Sequence, residues 1–155
     1  MACLLSGAVS IQAETLTVPR FQYAGPFALA TPFQVDPADV NSKAFDYKQM
    51  LDWKVSTTQL LGSEWLKSDQ FPSQSAEHAL NLASFSIENT HYGTAKFVIE
   101  GLSDYRLFVD GHAVDKESVD LSPATHRVIV KYLTSSDKKE TPVVKLEAKD
   151  GLFSF

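Results

Sequence analysis

Apolar and polar positions alternate through much of the chain beyond residue 78. Over residues 94–100, Ala95, Phe97 and Ile99 fall on one side, with Lys96 and Glu100 on the other. Residues 142–148 set Val144, Leu146 and Ala148 against Lys145 and Glu147. Strict alternation is the period of a half-buried strand. Residues 105–109 and 112–114 alternate on either side of Asp110-Gly111. Asp-Gly between two such runs predicts a two-residue hairpin with a type I′ turn, which needs positive φ at both central positions. Residues 118–121 read as a short strand and 125–133 as a long one rich in Val and Ile. Turns at 101–104 and 122–124 and a polar loop at 134–141 separate them. Residues 79–88 change phase, because Leu80 and Leu82 share one side while Phe85 and Ile87 share the other. A β-bulge there reconciles the two. Some six or seven strands at this spacing predict an all-β, antiparallel sandwich of jelly-roll type.

The first half of the chain is less regular. Residues 14–18 form a short alternating run. Phe21, Tyr23, Phe27 and Phe33 are interspersed with Pro26, Pro32 and Pro37. Prolines so spaced exclude a long helix or a central strand. An extended segment pinned to the domain by its aromatic rings is expected instead. Asp36-Pro37-Ala38-Asp39 is a helix start, with Asp at the N-cap and Pro at the first helical position. Val40, Ala44, Tyr47 and Leu51 follow at helical spacing, and the helix ends near Asp52. Within 53–77, residues 53–55 read as a strand and 70–75 as loop. The organisation expected is an extended segment and short helix over 14–52, packed as one domain with a sandwich over 53–155. A chain of 155 residues is long enough to bury one such core.

Residues 1–13 carry no charged side chain. They read as the apolar region and cleavage site of a secretory signal peptide, cut after Ala13, with its basic leading region missing; a buried N-terminal strand is the alternative. The run is too short to span a membrane as a helix. Cys3 is the sole cysteine and lies inside this segment. The mature domain then has no disulfide, no thiolate metal site and no cysteine nucleophile. Export without disulfides suits a bacterial periplasm, and a periplasmic or extracellular location is expected. The apolar end, residues 151–155, reads either as a strand closing a sheet or as the approach to further domains.

Composition narrows the function classes. The net charge is −5, and Lys138-Lys139 is flanked by Asp137 and Glu140. A nucleic-acid partner, which needs a basic patch, is not expected. Ser63 follows Gly62 but lacks the frame of a nucleophile elbow, and the seven glycines form no phosphate loop. His78, His91, His112 and His126 show no zinc-ligand spacing and read as surface or hairpin-edge residues, although His91 and His126 both flank strands. Asp104, Asp110, Asp115, Glu117 and Asp120 cluster around the hairpin, without the alternating acids of a calcium loop. Asp110 reads as a turn former. No cofactor and no catalytic residue are assigned. Trp53, Trp65, Tyr92, Tyr105 and Tyr132 are either core or, where exposed, platforms for sugar rings. Trp65, Tyr92 and His112 are the candidate ligand contacts.

The strings Phe97-Val98-Ile99-Glu100-Gly101, Tyr105-Arg106-Leu107-Phe108-Val109-Asp110-Gly111 and His126-Arg127-Val128-Ile129-Val130 resemble the second half of galactose-binding-like and protective-antigen-type lectin sandwiches. The likeness covers roughly residues 79–148 and implies a jelly roll with a glycan or peptide as ligand. The ligand-binding acids of the lectin members are not matched. Tyr23-Ala24-Gly25-Pro26-Phe27, with residues 40–51, also resembles the N-terminal region of secreted Gram-negative peptidases of the prolyl-oligopeptidase family. That resemblance implies a non-catalytic accessory module whose partners are downstream domains of the same chain. It carries over no catalytic residue.

Overall fold

The computed structural model describes residues 14–29, 46–52, 60, 62–73, 76–150 and 152–155. Its spine is the pairing of β4 (His78–Asn89) with β9 (Ala124–Ser135), twelve residues each and antiparallel. The register runs unbroken from His78 opposite Ser135 to Asn89 opposite Ala124. On one side of this pair lies β2 (Phe21–Ala28), then the two-residue β3 (Trp65–Leu66). On the other lie β6 (Tyr105–Val109) and β7 (His112–Ala113). β11 (Phe153–Ser154) pairs with the end of β4, at Asn89 and Glu88. A second, four-stranded sheet has the order β1 (Glu14–Thr17), β10 (Val143–Lys149), β5 (Gly93–Glu100) and β8 (Ser118–Leu121). Every pairing among the described residues is antiparallel. The architecture is the expected all-β sandwich.

The alternation read from the sequence builds the core. Ala95 on β5 and Val144 and Leu146 on β10 come from the smaller sheet. They pack against Ala83, Phe85, Ile87, Val128, Val130 and Tyr132 of the larger. Lys96 and Lys145 stay on the solvent side, where they pair with Glu117 and Glu100.

The bulge expected within β4 is not there. β4 is buried on both faces, so both of its phases are apolar. Ala83, Phe85 and Ile87 face the second sheet. Leu80 and Leu82 face outward and are covered by Leu51, Leu60, Phe27, Ile129 and Leu133. The bulge lies instead in β2, whose register with β4 shifts between Ala24 and Phe27, at the cis Gly25–Pro26 peptide. The segment expected to be merely extended is thus a paired strand over Phe21–Ala28. Among the described residues, β3 pairs only with Phe21 and Gln22, which leaves Pro26 at the margin of the described sheet, where a missing N–H costs little. Its rings do pin it: Phe21 and Tyr23 are buried, and Tyr23 stacks on Phe71 at 4.3 Å. The Tyr23 hydroxyl donates to Asn81 Oδ1 at 2.5 Å, and Asn81 Nδ2 donates to Thr134 Oγ1 at 2.9 Å.

The start of the helix expected from Asp36 lies outside the described residues, as does the strand expected at 53–55. The described part of that expected helix is a 3-10 turn, Tyr47–Leu51, stopping at Asp52. The turn has its own N-cap, Asp46, whose carboxylate accepts from the Lys48 N–H at 3.0 Å. Another 3-10 turn, Ser68–Gln70, ends where the loop expected over 70–75 begins.

Candidate functional site

The two sheets end on the same side of the molecule with short strands, β8 on the smaller and β7 on the larger. Residues 114–117 connect them. Between these margins the interior of the sandwich opens into a concavity of about 980 Å³. Its lower wall is apolar and comes from core-facing Val109, Val119 and Leu121. Tyr92, Thr94, His112 and Asp120 stand around it.

The hairpin that forms one wall is the turn expected. Asp110 and Gly111 have φ of 50° and 81°, and Val109 pairs with His112 and Phe108 with Ala113 across them. Aspartate is among the few non-glycine residues that enter the left-handed region, and here the turn is held from the neighbouring strand β9. Its N–H donates to the Arg127 carbonyl at 2.8 Å, and its Oδ1 accepts from the Arg127 N–H at 2.9 Å. Asp150, with φ of 63°, also lines the concavity. These are the two non-glycine residues with positive φ among the described residues.

Asp110 does more than shape the turn. Its Oδ2 lies 2.6 Å from His126 Nδ1, and His126 Nε2 lies 2.8 Å from the Ser122 carbonyl. His126 is 6% exposed, at the inner end of β9 directly opposite Ile87. Both ring nitrogens therefore face acceptors, a geometry that an imidazolium with two N–H donors satisfies. Burial disfavours the charge on His126, but bonds to the Ser122 carbonyl and to Asp110, with the attraction of Asp110, outweigh it and raise the pKa above 6.5. Burial likewise opposes the Asp110 charge, yet His126 and the Arg127 N–H hold its pKa below 3.8. Ser122 is tied in further by Asn89, whose Nδ2 donates to the carbonyls of Leu121 at 3.0 Å and Ser122 at 3.3 Å. Thr94 Oγ1 donates to Asp120 Oδ1 at 2.9 Å, across the β5–β8 pair.

Two of the three candidate contacts meet here. Tyr92 is 78% exposed beside the concavity, and His112 is exposed on the hairpin wall. Trp65 is 48% exposed but sits on β3, opposite Gln22 at the far margin of the larger sheet, and does not line the concavity. Of the other aromatics, Tyr132 is core and Tyr105 is half-buried against it, while Trp53 lies outside the described residues. His78 stacks on Tyr47 at 4.0 Å, and His91 is bonded to Thr90 Oγ1 at 2.9 Å.

The residue that sequence reasoning missed is His126. Its expected place was a strand edge at the surface. The signal was its phase: it shares the inward side of β9 with Val128, Val130 and Tyr132, where a lone polar residue needs a buried partner.

An exposed phenol ring beside aspartates, a threonine and a histidine offers a flat apolar face and several acceptors. That combination suits a ligand with C–H faces and hydroxyl edges. The charge is net acidic: Asp110, Asp115, Asp120 and Asp150 stand against Lys116 and His126. Among the described residues, no three histidine, cysteine, aspartate or glutamate side chains are grouped to hold a metal ion, and no helix is long and apolar enough to cross a membrane. No protein-family model matches the chain, and neither a curated protein nor a solved structure matches it significantly.

Proposed function

We propose that this chain is a non-catalytic binding module of an exported protein, and that the concavity at the open end of the sandwich takes a saccharide. The observation that carries the reading is Tyr92, a ring 78% exposed at the edge of the concavity. A ring left in water next to aspartates is what stacking on a sugar and accepting from its hydroxyls require. A non-catalytic role is favoured by His126, the imidazole at the base of the site. Its two nitrogens face Asp110 Oδ2 and the Ser122 carbonyl, so neither is left to take a proton from a ligand in the concavity.

A glycan array followed by calorimetric titration tests this. The reading expects at least one saccharide to bind, with a loss of tenfold or more in Tyr92→Ala. No response across neutral, acidic and amino sugars at millimolar concentration counts against it.

The wider context rests on the resemblance of residues 23–27 and 40–51 to the N-terminal region of secreted prolyl-oligopeptidase-family peptidases. On that reading the module precedes the catalytic domains of such a peptidase and packs on them or positions substrate. Sequencing the gene beyond the codon for Phe155 checks it. A propeller followed by a Gly-x-Ser-x-Gly motif supports the context, and an immediate stop codon removes it.

A further inference from the structure

From the donor and acceptor count around His126, we infer that this imidazole is a proton-operated latch on the concavity. With two N–H groups it ties the Asp110 turn to the Ser122 turn; with one it holds only a single side. Asp110 Oδ2 and the Ser122 carbonyl are both acceptors, at 2.6 and 2.8 Å. A neutral ring has one donor. The carboxylate is the stronger acceptor, so deprotonation leaves Nδ1–H on Asp110 and turns a lone pair toward the Ser122 carbonyl. Among the described residues, the remaining side-chain tie on that carbonyl is the 3.3 Å bond from Asn89. The turn after β8 is then loosened, and β8 carries Val119, Asp120 and Leu121 of the concavity wall.

The surroundings of His126 set the direction of the switch. The hairpin presents Asp110 and the turn after β8 presents the Ser122 carbonyl; His112 and Asp120 line the same concavity, Asp120 bonded outward to Thr94. β4 presents Ile87 and Asn89, the connection presents Asp115 and Lys116, and Asp150 follows β10. Arg127 turns away, its Nε donating to Ser84 Oγ at 3.2 Å. Asp110, the charged group in hydrogen-bond contact with the ring, favours its protonated form. His112 opposes it only when itself charged. The latch is therefore closed in mild acid and opens as the solution becomes alkaline.

The inference rests on the concavity being the binding site, but its test does not need a ligand. Nitrogen-15 spectra of the His126 ring, recorded from pH 5 to 9, report the number of N–H groups. Amide exchange, corrected for intrinsic rates, reports the protection of Ser118–Leu121 relative to Val130 in the middle of β9. The expected result is a fall of tenfold or more in that relative protection as His126 loses its second proton. Asp110→Asn should move the transition to lower pH, and His126→Gln should give low, pH-independent protection. His112→Asn should leave the transition in place. Relative protection that stays level through the His126 titration, or a ring with a single N–H at pH 5, overturns the latch. Saccharide affinity measured across the same range should fall tenfold with the protection. If no saccharide binds at any pH, the saccharide reading fails, while the exchange data alone decide the latch.

Discussion

His126 and Asp110, sixteen residues apart in sequence, meet at 2.6 Å. Val109 pairs with Val128 in the β6–β9 ladder, so the turn residue Asp110 comes to lie beside Arg127. Its backbone and Oδ1 bond Arg127, and its second oxygen reaches His126. One carboxylate thus fixes the hairpin to the end of β9 and places a charge pair at the base of the concavity.

Stability should depend on pH through this pair, with a defined sign. His126 has a pKa raised above 6.5 in the folded state, so its contribution is complete below 6.5 and is lost as pH rises through the raised value. Asp110 has a pKa lowered below 3.8, so its contribution is complete above 3.8 and is lost as pH falls through the lowered value. The pair stabilises fully between 3.8 and 6.5 and fades on either side. Because the Asp110 side chain is 46% exposed, about 1 kcal/mol is expected rather than the upper end for charged hydrogen bonds. Urea unfolding of the wild type and Asp110→Asn at pH 5.5 and 8.5 checks this. The gap between the two proteins should be larger at pH 5.5.

Two glycine substitutions separate backbone strain from crowding. At Gly111, φ is 81° and an added Cβ meets nothing within 4 Å. Gly111→Val should therefore cost more than ~1 kcal/mol through conformation alone. At Gly101, φ is also 81°, but a Cβ would lie 2.3 Å from the Thr141 carbonyl oxygen. Gly101→Ala adds a backbone collision to the strain and should cost more than a Gly111→Ala control. Thermal unfolding reads both, at roughly 2–4 °C per kcal/mol for a domain of this size.

Tyr23→Phe should destabilise by about 1–3 kcal/mol, because it leaves Asn81 Oδ1 buried without its 2.5 Å donor. Tyr23→Phe combined with Asn81→Leu removes the stranded acceptor. Denaturant unfolding should show the double variant losing less than the sum of the two single losses.

Tyr92→Ala should leave stability within about 0.5 kcal/mol of the wild type, as expected for so exposed a side chain. Saccharide affinity should nevertheless fall at least tenfold, about 1.4 kcal/mol. Trp65→Ala should leave affinity unchanged, because Trp65 lies on β3, away from the concavity. Parallel calorimetry on the two variants distinguishes the two aromatic candidates.

Much of the fold was legible because its signals are local. The hairpin was readable in Asp110-Gly111 since turn chemistry depends on two adjacent residues, and β5 and β10 were readable because each buries a single face. β4 misled because Leu80 and Leu82 are covered by Leu51 and Leu60, segments remote in sequence, so its two apolar phases imitated a bulge. β2 was hidden by Pro26, which is compatible with a strand only once the register shift beside it is known. The site was half legible: exposure could be guessed for Tyr92 and His112, but the Asp110–His126 contact depends on the β6–β9 register. Trp65 was separated from them by sheet order, which no local pattern encodes.

The most direct test of the account is chemical-shift mapping of the nitrogen-15-labelled domain at pH 6 during titration with the best saccharide from the array. The account predicts perturbations centred on Tyr92, Thr94, His112, Asp120 and Ser122, with Trp65 and Leu66 unmoved. Perturbations centred on β3, or none at saturating ligand around the open end of the sandwich, would contradict it.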